Sequence, residues 1–170
     1  MRQQITEEFI KSLTKKELLA LDIATHTGWF TAGHGYGTEF FPNTDKAPKK
    51  YGPDYDQHKA FRDWLMEKLP HWGIKLIAAE DVQVGKSFAA VRKLSEFRGI
   101  LCEVCATLNI PLIFVPVTGL KKWATGNGNA SKELMMEFAA KRWGVDVEGD
   151  DNAGDASHIF FYIAKRYKLT

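Results

Sequence analysis

Two apolar stretches of the sequence each end in a single carboxylate. Asp22 closes the run in residues 17–24, and Glu80 closes residues 75–80. Continuous apolar runs of this length are typical of strands buried on both faces of a sheet. If these strands are neighbours, both acids reach one edge, where a buried carboxylate needs a base or a metal as partner. The alternative is that each acid only caps a turn.

A third acidic group lies in residues 149–158, GDDNAGDASH. Asp151 and Asp155 are four residues apart and would share one face of a helix. Helix capping and the helix dipole explain Asp150 or Asp151, but Asp155 directly precedes an apolar run and lies where the helix meets the core. Separated acids of this kind supply oxygen ligands for Mg²⁺ or Mn²⁺, and two such ions about 4 Å apart activate water and stabilise a leaving oxygen.

A glycine-rich basic stretch, residues 117–132, precedes the next helix. Its glycines Gly126 and Gly128 offer backbone N–H groups to a phosphate at a helix start, and Lys121 and Lys132 flank them. Two interpretations stay open for this stretch. It is either a backbone clamp on a phosphate or a flexible loop with solvated lysines.

The periodicity of the sequence predicts the elements that position these residues. Three strands at 17–24, 29–33 and 36–41 form an antiparallel meander, with a tight turn at 25–28 and a loop at 42–55. Then α/β alternation begins, and the order βββαβαβα, with one more helix near the end, predicts an α/β fold with helices packed on a mixed sheet. The later elements are helix 56–69 followed by Pro70, strand 75–80, helix 87–108, strand 112–117, and helices 131–143 and 152–167.

Length and composition favour one globular unit. The chain has 170 residues, 45% of them hydrophobic, which predicts a single domain over 17–170 behind a polar, partly helical extension over 1–16. No apolar run approaches the roughly 20 residues of a membrane helix, and the first residues lack a signal-peptide core, so we expect an intracellular protein without a membrane partner. Cys102 and Cys105 are expected as small core residues.

The net charge of +2 does not by itself indicate a nucleic-acid partner. Five carboxylates concentrate between Asp146 and Asp155, and the bases gather in strips. This distribution fits both an ordinary mixed surface and a metal-using nuclease. The strips comprise Lys46, Lys49 and Lys50; Lys121, Lys122 and Lys132; and Lys141, Arg142, Lys165, Arg166 and Lys168.

Over residues 18–164 the chain resembles the RuvC family of Holliday-junction resolvases, its phage-type members in particular. The similar segments are LALDIATHTGW, the strand end AAED, RKLSEFRG at 92–99, KKWATGNGNASKE and DDNAGDA. The first two are moderately specific. ATGNGNASK followed by DDNAGDA, in this order, is highly specific.

The resemblance implies an RNase H-like fold, a homodimer and paired nicking of four-way DNA junctions in the cytoplasm of a bacterium or a phage-infected cell. It implies dependence on Mg²⁺, with two ions per active site and Mn²⁺ as a substitute, and no nucleotide cofactor. Asp22, Glu80 and Asp155 take the roles of metal ligands. Lys121 and Lys132 match the active-site lysines of the family.

The chain departs from the bacterial pattern at two points. Where that pattern has an acid three residues before the last Asp, this chain has Asn152, with Asp151 one position earlier. Both flank the face of Asp155, at roughly 60° and 40°. Because a carboxylate offsets a metal's charge, we expect Asp151 to be the fourth ligand, although it is also a candidate N-cap. The phenylalanine that follows the strand-end Glu in the family has no counterpart at 82–84.

Three other functions compete with this interpretation. A related RNase H-like nuclease acting on other branched or hybrid nucleic acid would use the same catalytic residues. A non-catalytic junction-binding protein would be expected to have lost its acids. An actin-like nucleotide-binding fold would need a longer chain with a second half.

Overall fold

The predicted antiparallel strands form one side of a five-stranded mixed sheet. A computed structural model describes residues 6–43, 54–83, 87–145 and 150–170. Strand order is β3-β2-β1-β4-β5, with β1–β2 and β2–β3 antiparallel and β1–β4 and β4–β5 parallel. The predicted mixed sheet is therefore confirmed. Its strands are β1 (Leu18–Asp22), β2 (His26–Thr31), β3 (Gly35–Phe40), β4 (Leu76–Glu80) and β5 (Leu112–Val115).

Helices cover both faces of this sheet. Serine side chains cap two of them: Ser87 accepts from the Ala90 N–H, and Ser131 accepts from the Leu134 N–H. Among the described residues no helix is both long and apolar enough to cross a membrane. The helices are α1 (Glu7–Lys11), α2 (Tyr55–His71), α3 (Phe88–Leu108), α4 (Val117–Thr125), α5 (Lys132–Trp143) and α6 (Asp151–Tyr167), with a short 3₁₀ turn at Lys15–Glu17.

Strand β1 separates two hydrophobic clusters, which explains its unbroken apolar run. Leu19 and Leu21 face the cluster formed with α2 and α3, while Leu18 and Ala20 face the cluster formed with α6. All four side chains are fully buried. Because successive residues of a strand point to opposite faces, burial on both faces requires apolar residues at every position.

The N-terminal segment packs more closely than a polar extension would. Ile10 and Leu13 are each 3% exposed and belong to the cluster around α6. The Lys15 N–H donates to the Thr170 carbonyl at 2.9 Å, which ties this segment to the C-terminus. The division of the chain into an extension and a domain remains a prediction.

Several predicted boundaries were wrong. Thr27 and Gly28 belong to β2 and not to a turn, because they pair with β3. Pro70 lies inside the last turn of α2 and does not follow the helix.

The stretch after β5 contains a helix that the sequence did not reveal. The strand ends at Val115, and α4 begins directly after Pro116. Val117, Leu120 and Ala124 are buried at helical spacing, but the lysines and glycines around them favoured a loop. The basic segment is therefore mostly helical, with only the turn around Gly126 and Gly128 between α4 and α5. The basic cluster at Lys46, Lys49 and Lys50 lies outside the described residues.

Helix α6 crosses β2 at Gly28, and no larger residue fits there. A Cβ atom built on Gly28 would lie 1.9 Å from the Asn152 carbonyl oxygen and 2.2 Å from its carbon. Both atoms belong to the backbone and cannot rotate away. Gly28 is also the residue paired with Asp22 across β1 and β2, so this contact sets the distance between α6 and the end of β1.

We predict that Gly28→Ala lowers the free energy of unfolding by at least about 2 kcal/mol, since α6 must shift to admit the methyl group. Urea denaturation followed by circular dichroism measures this. The matched control is Gly119→Ala in α4, where a Cβ atom meets nothing within 4 Å and a gain of up to about 1 kcal/mol is expected. Equal stabilities of Gly28→Ala and the parent protein would contradict the close packing of α6 on β2.

Candidate active site

The ends of β1 and β4 bring two of the predicted acids together. The two strands pair in parallel, and Leu21 opposite Ala79 is the last pair between them, so Asp22 and Glu80 are the next residues of the two strands. Both side chains line one cavity of about 210 Å³. The sequence-based expectation that these strands are neighbours is correct.

Helix α6 adds Asp155 to the same cavity. The helix is held at its start by Asp150, which accepts from the Ala153 N–H at 3.1 Å and from the Thr38 hydroxyl on β3. Asp150, and not Asp151, is therefore the N-cap. The carboxylate of Asp151 stays available for other contacts, and Asp155 follows one turn later, over the ends of β1 and β4.

Burial makes the charge of Asp155 unfavourable. The pKa of Asp155 is raised to about 6, mainly because burial removes the solvation of the charged form. The positive charges of Lys132 and Lys121 oppose this shift, and the negative charge of Asp151 adds to it. A cation in the cavity would stabilise the ionised form of Asp155.

Lys132 supplies a positive charge at the wall of the cavity. It is the first residue of α5 and lines the cavity with the three acids. Its Nζ atom lies 2.5 Å from Oδ2 of Asp151, and this hydrogen bond raises the pKa of Lys132. Lys132 thus remains an ammonium group in the protein alone. An ammonium group of this kind is better suited to stabilising negative charge than to protonating a leaving group, which would need a lowered pKa.

The other predicted residues lie around this cavity. Lys121 lines a neighbouring cavity of about 570 Å³, and its Nζ atom donates to the Ala130 carbonyl at 3.0 Å. Asn152 lines a different neighbouring cavity, of about 350 Å³. Asp151 is linked to the cavity of the three acids through its ion pair with Lys132. Geometry therefore associates Asp151, rather than Asn152, with the three acids.

Two charged residues of the cavity were not predicted from the sequence. Asp81 and Arg98 line it together, and Nε of Arg98 lies 3.2 Å from Oδ1 of Asp81. The Arg98 guanidinium also stacks over the Phe114 ring, with 3.8 Å between its carbon and the ring centroid. Both residues lie within the segments AAED and RKLSEFRG. The available signal for Asp81 was its place directly after the strand-end acid Glu80.

The donor atoms of the cavity suit a hard divalent cation. Asp22, Glu80 and Asp155 offer only oxygen ligands, and the raised pKa of Asp155 shows that its charge lacks full compensation. The described residues contain no group of three or more His, Cys, Asp or Glu side chains arranged so that it could hold a metal ion. Mg²⁺ does not require such a group, because it keeps several waters and uses one or two carboxylates together with substrate phosphates.

Comparison with known proteins gives a consistent result. No family model matches the chain. The chain is 32% identical over 79 residues to the crossover junction endodeoxyribonuclease RuvC of Nitratidesulfovibrio vulgaris. The aligned segment covers 46% of this chain and 48% of that protein. It therefore spans about half the length of that relative. The RuvC protein of Brachyspira hyodysenteriae is 28% identical over 117 residues, covering 68% of this chain and 72% of that protein.

The fold agrees with these sequence matches. The structure of Thermus thermophilus RuvC in complex with Holliday junction substrate superimposes with a TM-score of 0.68 at 15% identity, covering 89% of this chain and 95% of that chain. The chain is RuvC-like in sequence and in fold. The predicted resemblance to the RuvC family and the predicted RNase H-like fold are thus confirmed. The assignment of individual site residues in this RuvC-like chain stays a prediction.

The raised pKa of Asp155 predicts how the stability of the RuvC-like chain depends on pH. Between its unfolded value of roughly 3.9 and its folded value of about 6, Asp155 holds a proton when folded and releases it when unfolded. Stability is therefore lost as pH rises through this window, and the loss persists above it. We predict that Asp155→Asn is more stable than the parent at pH 7.5, by about 1–3 kcal/mol, and nearly equal at pH 4.

Urea unfolding in EDTA at both pH values measures this difference. Asp151→Asn is the matched control, because its ion pair with Lys132 lowers the pKa of Asp151. A lowered pKa gives stability that is present at neutral pH and lost at low pH. The control should therefore be slightly less stable at pH 7.5, by at most about 1 kcal/mol, since the pair is partly exposed. A destabilised Asp155→Asn at pH 7.5 would refute the burial argument.

Proposed function

We propose that this chain is a structure-selective DNA endonuclease that cuts four-way junctions by paired hydrolysis of phosphodiester bonds. One observation carries the proposal: three acids from β1, β4 and α6 line one cavity with Lys132, in a chain that is RuvC-like in sequence and fold. The names of the relatives support the substrate, since they are crossover junction endodeoxyribonucleases. The related Thermus thermophilus protein was solved with a Holliday junction.

The cavity has the chemistry that this reaction needs. Asp22, Glu80 and Asp155 would hold Mg²⁺, with Asp151 as the fourth ligand, two ions per site and Mn²⁺ as a substitute. When bound, these ions supply an activated water and stabilise the leaving 3′-oxygen. Lys132 occupies Oδ2 of Asp151, so a metal bound through this oxygen would compete with the ion pair.

Lys132 and Arg98 complement the acids. An ammonium group at the cavity wall attracts the scissile phosphate and stabilises the negative charge that develops during attack. Lys132 lines the cavity and would take this role once released by Asp151. Arg98, which lines the same cavity, would also contact the phosphate, and Lys121 in the adjoining cavity would bind the DNA backbone further along the strand.

A homodimer would match the symmetry of the substrate. A four-way junction has a two-fold axis, and paired cuts need two active sites related by a similar axis. Helix α3 offers a suitable surface: one stripe along it is exposed and contains small residues that permit close approach of a second helix. This stripe comprises Phe88, Arg92, Ser95, Gly99, Glu103 and Ala106.

Action on an RNA–DNA hybrid or another branched nucleic acid is the second candidate function. The same acids and the same cation would serve it, so the choice depends on the substrate. We predict that the protein nicks a synthetic four-way junction at paired positions in Mg²⁺. It should leave a linear duplex of the same sequence and an RNA–DNA hybrid intact, and EDTA should abolish cutting. Preferential cutting of the hybrid would favour the second candidate.

The same assay tests the role of Asp22. Asp22→Asn removes the charge of a predicted ligand but keeps its shape, so we expect cleavage to fall at least about 1000-fold while junction binding in EDTA is unchanged or tighter. Asp63→Asn, an exposed change in α2 at the Lys59 ion pair, is the control and should cut normally. Normal cutting by Asp22→Asn would remove the basis for this active site.

Dimerisation makes a separate prediction. We expect the mass of a dimer at micromolar concentration, measured by light scattering with and without junction DNA. Gly99→Arg, which places a long charged side chain in the exposed stripe of α3, should yield monomers with unchanged circular dichroism. Lys59→Glu on α2 is the control. A monomeric parent protein, free and bound to DNA, would contradict the proposal.

A further inference from the structure

A second cavity adjoins the catalytic one. It has a volume of about 350 Å³ and shares two lining residues, Ala24 and Leu94, with the cavity of the three acids. Its remaining walls are formed by Thr25, His26, Ala90, Lys93, Phe97 and Asn152. A molecule bound in this cavity would therefore lie directly beside whatever occupies the catalytic cavity.

The surface next to this cavity carries a stacked aromatic pair. His26 and Phe40 face each other across β2 and β3, with ring centroids 4.4 Å apart and planes inclined by 17°. Phe40 is nevertheless 53% exposed. Because His26 also lines the cavity, the pair and the cavity form one continuous surface. We call this surface the stacking site.

The chemistry of the stacking site is that of a nucleobase receptor. Its floor is apolar, formed by Ala90, Leu94 and Phe97, whereas Thr25 and Asn152 provide hydrogen-bonding groups. A nucleobase combines a flat apolar body with a polar edge. Aromatic rings bind bases of any sequence by stacking, and the ammonium group of Lys93 adds a positive charge for the attached phosphate.

We propose that the stacking site binds one unpaired nucleotide of the branched substrate while its neighbouring phosphodiester lies in the catalytic cavity. The base extends the stacked pair of Phe40 and His26 from an outer face. This inference rests on the proposed function and adds a source of selectivity to it. A base at a branch point is already unstacked or easily unstacked, whereas a linear duplex must first break a pair at a cost of a few kcal/mol.

The test compares Phe40→Ala with Tyr36→Ala. Tyr36 lies on the same face of the same strand and is 39% exposed, but it stacks on Phe30, with ring centroids 5.9 Å apart, about 13 Å along the strand. Four-way junctions carry 2-aminopurine, whose fluorescence reports base stacking, at single positions around the crossover. Binding is measured in EDTA, and cleavage is measured in Mg²⁺.

We expect parent protein and Tyr36→Ala to change the fluorescence at one position, and Phe40→Ala to lose this change. Junction cleavage by Phe40→Ala should fall roughly 5- to 100-fold, with Phe40→Tyr restoring it and Phe40→Leu failing to. Full activity of Phe40→Leu would show that an apolar side chain is sufficient and that stacking is not needed, which would overturn the proposal. Equal behaviour of Phe40→Ala and Tyr36→Ala would overturn it too.

If the parent protein itself does not cleave the junction, the proposed function has failed, and this result is distinct from a failure of the stacking site. The stacking site is then judged by binding of a short oligothymidylate in EDTA. Weaker binding by Phe40→Ala than by Tyr36→Ala supports the site, and equal binding rejects it. Circular dichroism melting of each variant identifies any loss of fold, and Lys93→Ala provides a second variant outside the sheet.

Discussion

Parallel pairing of β1 with β4 determines which acids of this chain can act together. Because Leu21 pairs with Ala79, the next residues of the two strands are Asp22 and Glu80. A slip of one residue would exchange the side chains that β1 gives to the two hydrophobic clusters, Leu19 and Leu21 on one face and Leu18 and Ala20 on the other. The two hydrophobic clusters therefore stabilise this register and, with it, the spacing of the two carboxylates.

The third acid depends on a different contact. Helix α6 reaches the strand ends because Gly28 lets its backbone touch β2, and because Asp150 joins its first turn to Thr38. The result places Asp155 in a buried position that raises its pKa to about 6. The packing of α6 thus stabilises the folded protein, whereas the charge that this packing buries destabilises it. Such opposing effects are common at functional sites.

The sequence predicted the acids and their strands because both signals are local. An apolar run followed by one carboxylate needs no knowledge of distant residues. The choice of N-cap was different: Asp150 and Asp151 are equivalent in sequence, and Thr38, 112 positions away, forms the hydrogen bond to Asp150. The His26–Phe40 stack was equally hidden, since it depends on the register of β2 and β3. Helix α4 was missed because three buried residues stood among lysines and glycines.

In the proposed site, Asp22 and Glu80, from two paired strands, hold the same cation. Mn²⁺ affinity measured by electron paramagnetic resonance for Asp22→Asn, Glu80→Gln and the double variant tests it directly, without DNA and without turnover. If both acids bind one ion, each single change weakens binding and the double variant is little weaker than either one. Losses of affinity that add fully in the double variant, or tight Mn²⁺ binding that survives both changes, would show that the two acids do not hold one cation.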